Sequence, residues 1–376
     1  MISTSPFDVS SGALDEILLW LCTIPSPIGE EDAICDAVQA RLQKQALPAP
    51  IRRYGNSIVV PLSRLARLPR SSGGVDGGGE RRTHVALVGH LDTVRTENGP
   101  ARVDGDRIYG AGAADMKSGL AVMIAVAETL CPVLACDVTL VFYAREEGPY
   151  EDNELGPVLA EDPELAQVDL AICLEPSDNR LQLGCNGSLH ATVTFEGKTA
   201  HSSRPWQGEN AIVKAAPLLT KLAALAPEDH VIDGHTYRAV ITATQARDGG
   251  RGRNVVPDVF SLNLNYRVPP DVSLDEAESS LRHLVGEDAR IEIIDRSPGA
   301  PPNGNHPLIT KLIEAGVKTV EPKQAWTDVA RFAARGIPAV NFGPGENAQA
   351  HQKNESTSLA LIHEGFQMMK RWLLSL

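Results

Sequence analysis

The sequence is short of positive charge. Of its 376 residues 35 are Lys or Arg and 48 are Asp or Glu, a net charge of -13. No basic face is available to replace phosphate counterions, which argues against a nucleic-acid partner. The same shortage argues against docking on an anionic membrane. Long hydrophobic runs are also missing: "LAVMIAVA" at 120–127 falls far short of the roughly 20 residues that cross a bilayer. The first residues, "MISTSPFDVSSGALDEILLWL", lack the basic and then apolar regions of a signal peptide. The six cysteines, at 22, 35, 131, 136, 173 and 185, include no CxxC pair. They read as reduced core thiols of a cytoplasmic protein, not as a disulfide framework or a structural zinc site.

What is present is an ordinary globular composition, 43% hydrophobic and 22% charged, in a chain long enough for two domains. "THVALVGH" (83–90), "VTLVFYARE" (138–146) and "DLAICLE" (169–175) are near-continuous apolar runs of strand length, as in a parallel sheet covered on both faces. Helical spacing follows "SPIGEE" and again in "SGLAVMIAVAETL", just after Asp115. Alternating strands and helices predict an α/β layer architecture. The Gly/Ser-rich stretch 70–82 reads as a surface loop, without the Lys-Ser/Thr of a phosphate-binding loop.

Beyond "GCNGS" (184–188) the pattern changes to alternating strands interleaved with two amphipathic helices, one behind Ser273. The order β-α-β-β-α-β is the split, ferredoxin-like arrangement. It predicts a domain inserted at 186–296 into a first domain formed by 1–185 and 297–376.

The residues that carry chemistry fall at strand ends or in the loops after them, where open α/β sheets build their sites. His90 and Asp92 share one face of an extended segment, so the carboxylate is placed to orient the imidazole through its second ring nitrogen. Asp115 stands in a small-residue loop that runs into a helix. Glu146 and Glu147 are adjacent, and successive strand residues point to opposite sides, so the two carboxylates are expected to do different work. Glu175 ends another apolar run, and His351 follows the "GPGEN" turn. Each alone has an ordinary structural alternative. Together they place two imidazoles and several carboxylates on one rim, a donor set suited to zinc or a similar divalent ion. Carboxylates can bridge two such ions.

These residues stand in motifs, "GHLDTV", "GAGAADMKSG", "REEG", "LEP", "GKTAHSSRP", "RNVVP" and "AHQKNE", whose order and spacing resemble the M20 family of dinuclear zinc peptidases and deacylases over nearly the whole chain. The resemblance implies a zinc-exopeptidase-like catalytic domain with a mixed, mainly parallel sheet, and an inserted domain that forms a homodimer interface. It implies two Zn2+ per subunit, replaceable by Co2+. His90 and Glu175 would bind one ion, Glu147 and His351 the other, and Asp115 would bridge them. Asp92 would support His90, and Glu146 would be the general base and acid. His201 of "TAH" would reach the partner's site and polarise the substrate carbonyl. Asn254 and Arg267, and more weakly Thr327 and Asn347, fit positions that bind substrate carboxylates. The implied reaction is hydrolysis of N-succinyl-L,L-2,6-diaminopimelate to succinate and diaminopimelate, in lysine and cell-wall precursor synthesis. Deacetylation of acetylornithine, aminoacylase or dipeptidase activity, and a metal-free binding role are the alternatives. Ala111, Ser118 and Arg145 depart from the family pattern without removing a ligand.

Overall fold

The computed structural model describes residues 11–63, 81–249 and 252–376. All but the last two residues of the Gly/Ser-rich stretch lie outside this range. The chain divides into two compact units. One holds the residues up to Leu183 with Asn303–Glu321 and Arg331–Leu376; the other holds Gly184–Pro302 with Pro322–Ala330. The second unit thus extends past the expected 186–296 at both ends. It also takes in residues 322–330, because the Asn186 N–H donates to the Lys323 carbonyl at 3.2 Å and the Gln324 amide bonds both Thr236 and Arg238.

The first unit is built on an eight-stranded mixed sheet. Its order is Arg52–Tyr54, Ser57–Pro61, Asp137–Tyr143, His84–His90, Leu170–Cys173, Ala339–Asn341, Leu181–Leu183 and Val320–Pro322. The four strands from Asp137–Tyr143 to Ala339–Asn341 run parallel, and their neighbours on either side run antiparallel. Every residue of His84–His90 and Asp137–Tyr143 is buried, as a sheet covered on both faces requires. The parallel strands bring the loops after His90, Tyr143, Cys173 and Asn341 to one edge.

Two strands stop earlier than the apolar pattern suggests, at Tyr143 and Cys173. Arg145 adopts a left-handed φ of 64°, which turns the chain out of the sheet. Glu146 and Glu147 therefore lie in a turn, and strand alternation does not set their headings. The helix Lys117–Thr129 is buried along almost its full length. At Gly119 an added Cβ would stand 2.5 Å from the Leu174 carbonyl oxygen, so the absence of a side chain lets the helix close on the segment leading to Glu175.

The second unit carries a five-stranded antiparallel sheet in the order Glu228–Ile232, His235–Asp248, Val259–Val268, Gly187–Glu196, Arg290–Ser297. The split arrangement accounts for four of these strands. The fifth, Glu228–Ile232, is added by a hairpin at Asp233-Gly234, both with positive φ (48° and 81°), the geometry that Asp-Gly favours. Leu189, Ala191, Val193 and Phe195 pack with Leu262, Leu264, Ala277 and Leu281 on the helix side. By alternation His190, Asn263, Asn265 and Arg267 lie on the other face. Ser273 caps the helix Leu274–Val285 in a complete capping box with Glu276. Among the described residues no helix is long and apolar enough to cross a membrane.

The close approach at Gly119 yields a stability prediction. Gly119→Ala should cost about 1–3 kcal/mol by overpacking, seen as a lower urea midpoint with unchanged slope. A wild-type midpoint would contradict the packing.

Candidate metal centre

The loops at the sheet's edge bring five of the predicted ligands together. Among the described residues three groups have donor atoms within 4.8 Å of one another: His90, Asp115 and Glu175; His90, Glu146 and Glu147; and Asp115, Glu147 and His351. Asp115 faces both imidazoles. Its Oδ1 lies 3.3 Å from His90 Nε2 and its Oδ2 3.3 Å from His351 Nε2. Glu147 Oε1 is 2.9 Å from the same His351 nitrogen. Each oxygen of one carboxylate is thus paired with a different imidazole, the arrangement a bridging ligand needs.

The electrostatics describe the metal-free state. Burial alone would lower the pKa of His90, but the Asp115 hydrogen bond and the nearby Asp92 carboxylate outweigh it and raise it well above the ordinary value. His351 is raised to about 10, chiefly by its hydrogen bonds to Asp115 and Glu147. Asp115 is driven below the usual carboxylate range: burial opposes this, but the two histidines prevail. Protons on Nε2 of both rings therefore offset the carboxylates. The donor set, imidazole and carboxylate, is of the kind divalent cations take, and such an ion would replace the proton at each of these nitrogens.

The supporting contacts set the geometry. His90 Nδ1 donates to the backbone carbonyl of Asp92 at 3.0 Å, while the Asp92 carboxylate stands 3.6 Å away. The carbonyl thus holds the proton on Nδ1 and leaves Nε2 for a ligand. The Asp92 carboxylate accepts the backbone N–H groups of Glu146 at 3.1 Å and Glu147 at 2.9 Å. It fixes the turn that carries both acids, a role that the spacing of His90 and Asp92 did not disclose.

Glu355 is a further site residue that the sequence reading did not single out. It is buried (2% exposed) and accepts the N–H groups of Gly112, Ala114 and Asp115 at 2.9, 2.8 and 2.8 Å. Burial pushes its carboxyl up to about 7 against these donors. The only signal in the sequence is its place four residues after His351 in "AHQKNE".

Of the remaining candidates, His201, Asn254, Arg267 and Thr327 belong to the second unit and Asn347 to the first. His201 pairs with Val255 across a short ladder, and the Ser202 N–H bonds the Asn254 carbonyl at 2.9 Å. His201 and Asn254 are thereby held side by side. The Ser203 backbone N–H donates to His201 Nδ1 at 3.1 Å, so a neutral ring carries its proton on Nε2, the form that donates to a carbonyl oxygen. The Arg267 guanidinium has no hydrogen-bond or ion-pair partner among the described residues, and burial lowers its pKa. Thr327 is buried with an unpartnered Oγ1. Asn347 is exposed, and its N–H reaches Asp178 at 3.4 Å.

Comparison with known proteins gives the context of this site. The model of peptidase family M20/M25/M40 matches residues 86–375. A Mycobacterium tuberculosis protein called putative succinyl-diaminopimelate desuccinylase is 40% identical over 360 residues, covering 95% of this chain and 97% of its own. A Corynebacterium glutamicum succinyl-diaminopimelate desuccinylase is 37% identical over 366 residues, with 94% of each chain covered. Among solved structures, an M20 family metallo-carboxypeptidase of Sulfolobus solfataricus superimposes with a TM-score of 0.76 at 16% identity, covering 96% of this chain and 98% of its own. The last likeness concerns the fold.

The raised histidine pKa values fix the sign of a pH effect. At about neutral pH both Nε2 atoms are protonated in the metal-free protein, and zinc must displace those protons. Zinc uptake should release about two protons and strengthen as pH rises toward 10. Calorimetry in buffers of different ionisation enthalpy checks this. Uptake without proton release would contradict the raised pKa values of these two rings.

Proposed function

The chain belongs to peptidase family M20/M25/M40, and we propose that it hydrolyses N-succinyl-L,L-2,6-diaminopimelate to succinate and L,L-2,6-diaminopimelate. The observation that carries the chemistry is Asp115 set between His90 and His351. The substrate follows from the two desuccinylase relatives at 40% and 37% identity over nearly their full length. We assign two Zn2+ per subunit; His90 and Glu175 would hold one, Glu147 and His351 the other, and Asp115 would serve both. Bound divalent ions supply a Lewis acid for the scissile carbonyl and lower the pKa of the attacking water.

The chain's own residues do the rest. Glu146 takes the proton from the attacking water and returns it to the amine that leaves. Asp92 holds the Glu146 and Glu147 N–H groups, so base and ligand keep a fixed separation. His201, with its proton on Nε2, donates to the carbonyl oxygen as negative charge develops there. Arg267 supplies a planar cation for a substrate carboxylate. An unpartnered, partly buried guanidinium is costly in the free protein, and a bound carboxylate offsets that cost. Asn254, Thr327 and Asn347 complete our assignment of substrate-binding residues.

We also place the protein in a homodimer through its second unit. The strand Glu228–Ile232 covers only the first five residues of His235–Asp248, so past Ala239 one edge of that strand carries no neighbour among the described residues. Val240, Ile241 and Ala243 line a cavity there with Leu222, Leu225 and Pro227, and an apolar groove beside an open strand edge suits pairing with a second copy. In this dimer His201 of one copy serves the centre of the other. The six free cysteines fit a reducing, cytoplasmic setting.

Two substitutions test the reading. Glu146→Gln should keep its metal and lose about 10²- to 10⁴-fold in kcat; near-wild-type turnover would sink the assignment of the base. Arg267→Ala should raise KM for the succinyl substrate about 10- to 100-fold, the value of a charge-assisted contact. Acetylornithine turned over faster than succinyl-diaminopimelate by the wild type would transfer the activity to another branch of the family.

A further inference from the structure

The turn Gly110–Asp115 presents three N–H groups, those of Gly112, Ala114 and Asp115, to a single side chain. Glu355 Oε2 accepts from Gly112, and Oε1 accepts from both Ala114 and Asp115. The backbone of Glu355 is held as well. Its N–H donates to Asn98 Oδ1 at 2.8 Å, and its carbonyl accepts from Gly110 at 3.0 Å. Gly112 is in the left-handed region at φ 77°, and a Cβ there would stand 2.6 Å from Thr93 Cγ2. The turn is therefore packed on one side and tied to Glu355 on the other.

Lys117, the first residue of the following helix, is 1% exposed, with Nζ donating to the Ile24 carbonyl at 2.9 Å. Its ammonium attracts the Glu355 carboxylate, so the second buried charge has an opposite charge in its surroundings.

Glu355 is also the end of the segment that carries His351. His351 and Asn354 both have positive φ, 61° and 51°, and the Asn354 N–H bonds the Glu97 carbonyl at 3.0 Å. Three residues thus separate one imidazole of the centre from the carboxylate that clamps the Asp115 turn. Resting on the two-metal reading above, we propose that Glu355 is the positioning residue of the metal centre. By gripping three backbone donors of the Asp115 turn while fixed to the His351 segment, it sets the placement of the shared carboxylate against His351. It touches neither substrate nor metal. Asp92 does the same for the Glu146-Glu147 turn, so the centre is framed by two carboxylates that bind backbone rather than cations.

The chemistry of the clamp dictates the test. A glutamine at 355 turns an NH2 group toward backbone N–H groups that need an acceptor, whereas aspartate keeps the charge but is one methylene too short for all three. In Glu355→Gln the more weakly held zinc should dissociate about 10- to 100-fold more readily, read by equilibrium dialysis against a competing chelator. Its kcat should fall in the same range with KM within about twofold, and the melting temperature of the metal-free variant should stay within about 5 °C of wild type. Glu355→Asp should shift the same quantities in the same direction by less. Wild-type zinc affinity and turnover in Glu355→Gln would overturn the proposal. So would variants that melt far below wild type without metal yet bind zinc normally when folded in the cold, since that pattern belongs to a purely structural residue. A wild-type protein that retains no zinc in the same dialysis would instead contradict the two-metal reading.

Discussion

One carboxylate between two imidazoles organises the catalytic unit. Asp115 offers Oδ1 to His90 and Oδ2 to His351, and these three groups come from a strand end, a turn before a helix and a loop far along the chain. Bare, such a cluster of acids would repel itself in a site where little water screens it. Protons on the imidazoles offset the charge in the metal-free protein, and the metal ions we propose would do so in the enzyme. Acid-rich surroundings that would be a liability in a core become the source of affinity.

Backbone donors hold that arrangement in place. The Asp92 carboxylate takes two N–H groups of the Glu146-Glu147 turn, and the Glu355 carboxylate takes three from the Asp115 turn. In both cases a buried acid satisfies orphan amide groups of a loop, so the loop has one conformation at the rim. Parallel strands supply the coarse placement, because four of them end at one edge. Gly119 allows the helix after Asp115 to approach the segment before Glu175 closely enough for both to reach the same centre.

Much of this was legible in the sequence. The continuous apolar runs marked the parallel strands because both faces of that sheet are covered. His90, Asp115, Glu147, Glu175 and His351 stood out only as a set, because each alone has an ordinary structural use but together they place imidazoles and carboxylates at the strand ends of one sheet. The headings of Glu146 and Glu147 were not legible. The apolar pattern runs on through Ala144, whereas the left-handed conformation of Arg145 ends the strand, and a non-glycine residue gives no warning of positive φ. The work of Asp92 and Glu355 was hidden for another reason: a carboxylate that accepts backbone N–H groups looks in sequence like any other acid. The added strand Glu228–Ile232 did carry a signal, the Asp-Gly pair at 233–234, which the split-fold pattern alone does not use.

The central claim is that the two oxygens of Asp115 serve two different cation positions. Anomalous diffraction from crystals grown with zinc tests it directly. The account predicts two peaks about 3.5–4 Å apart, one beside His90 and Glu175, the other beside Glu147 and His351, with the Asp115 carboxylate between them. A single peak, or a pair with Asp115 bound to only one ion, would contradict it.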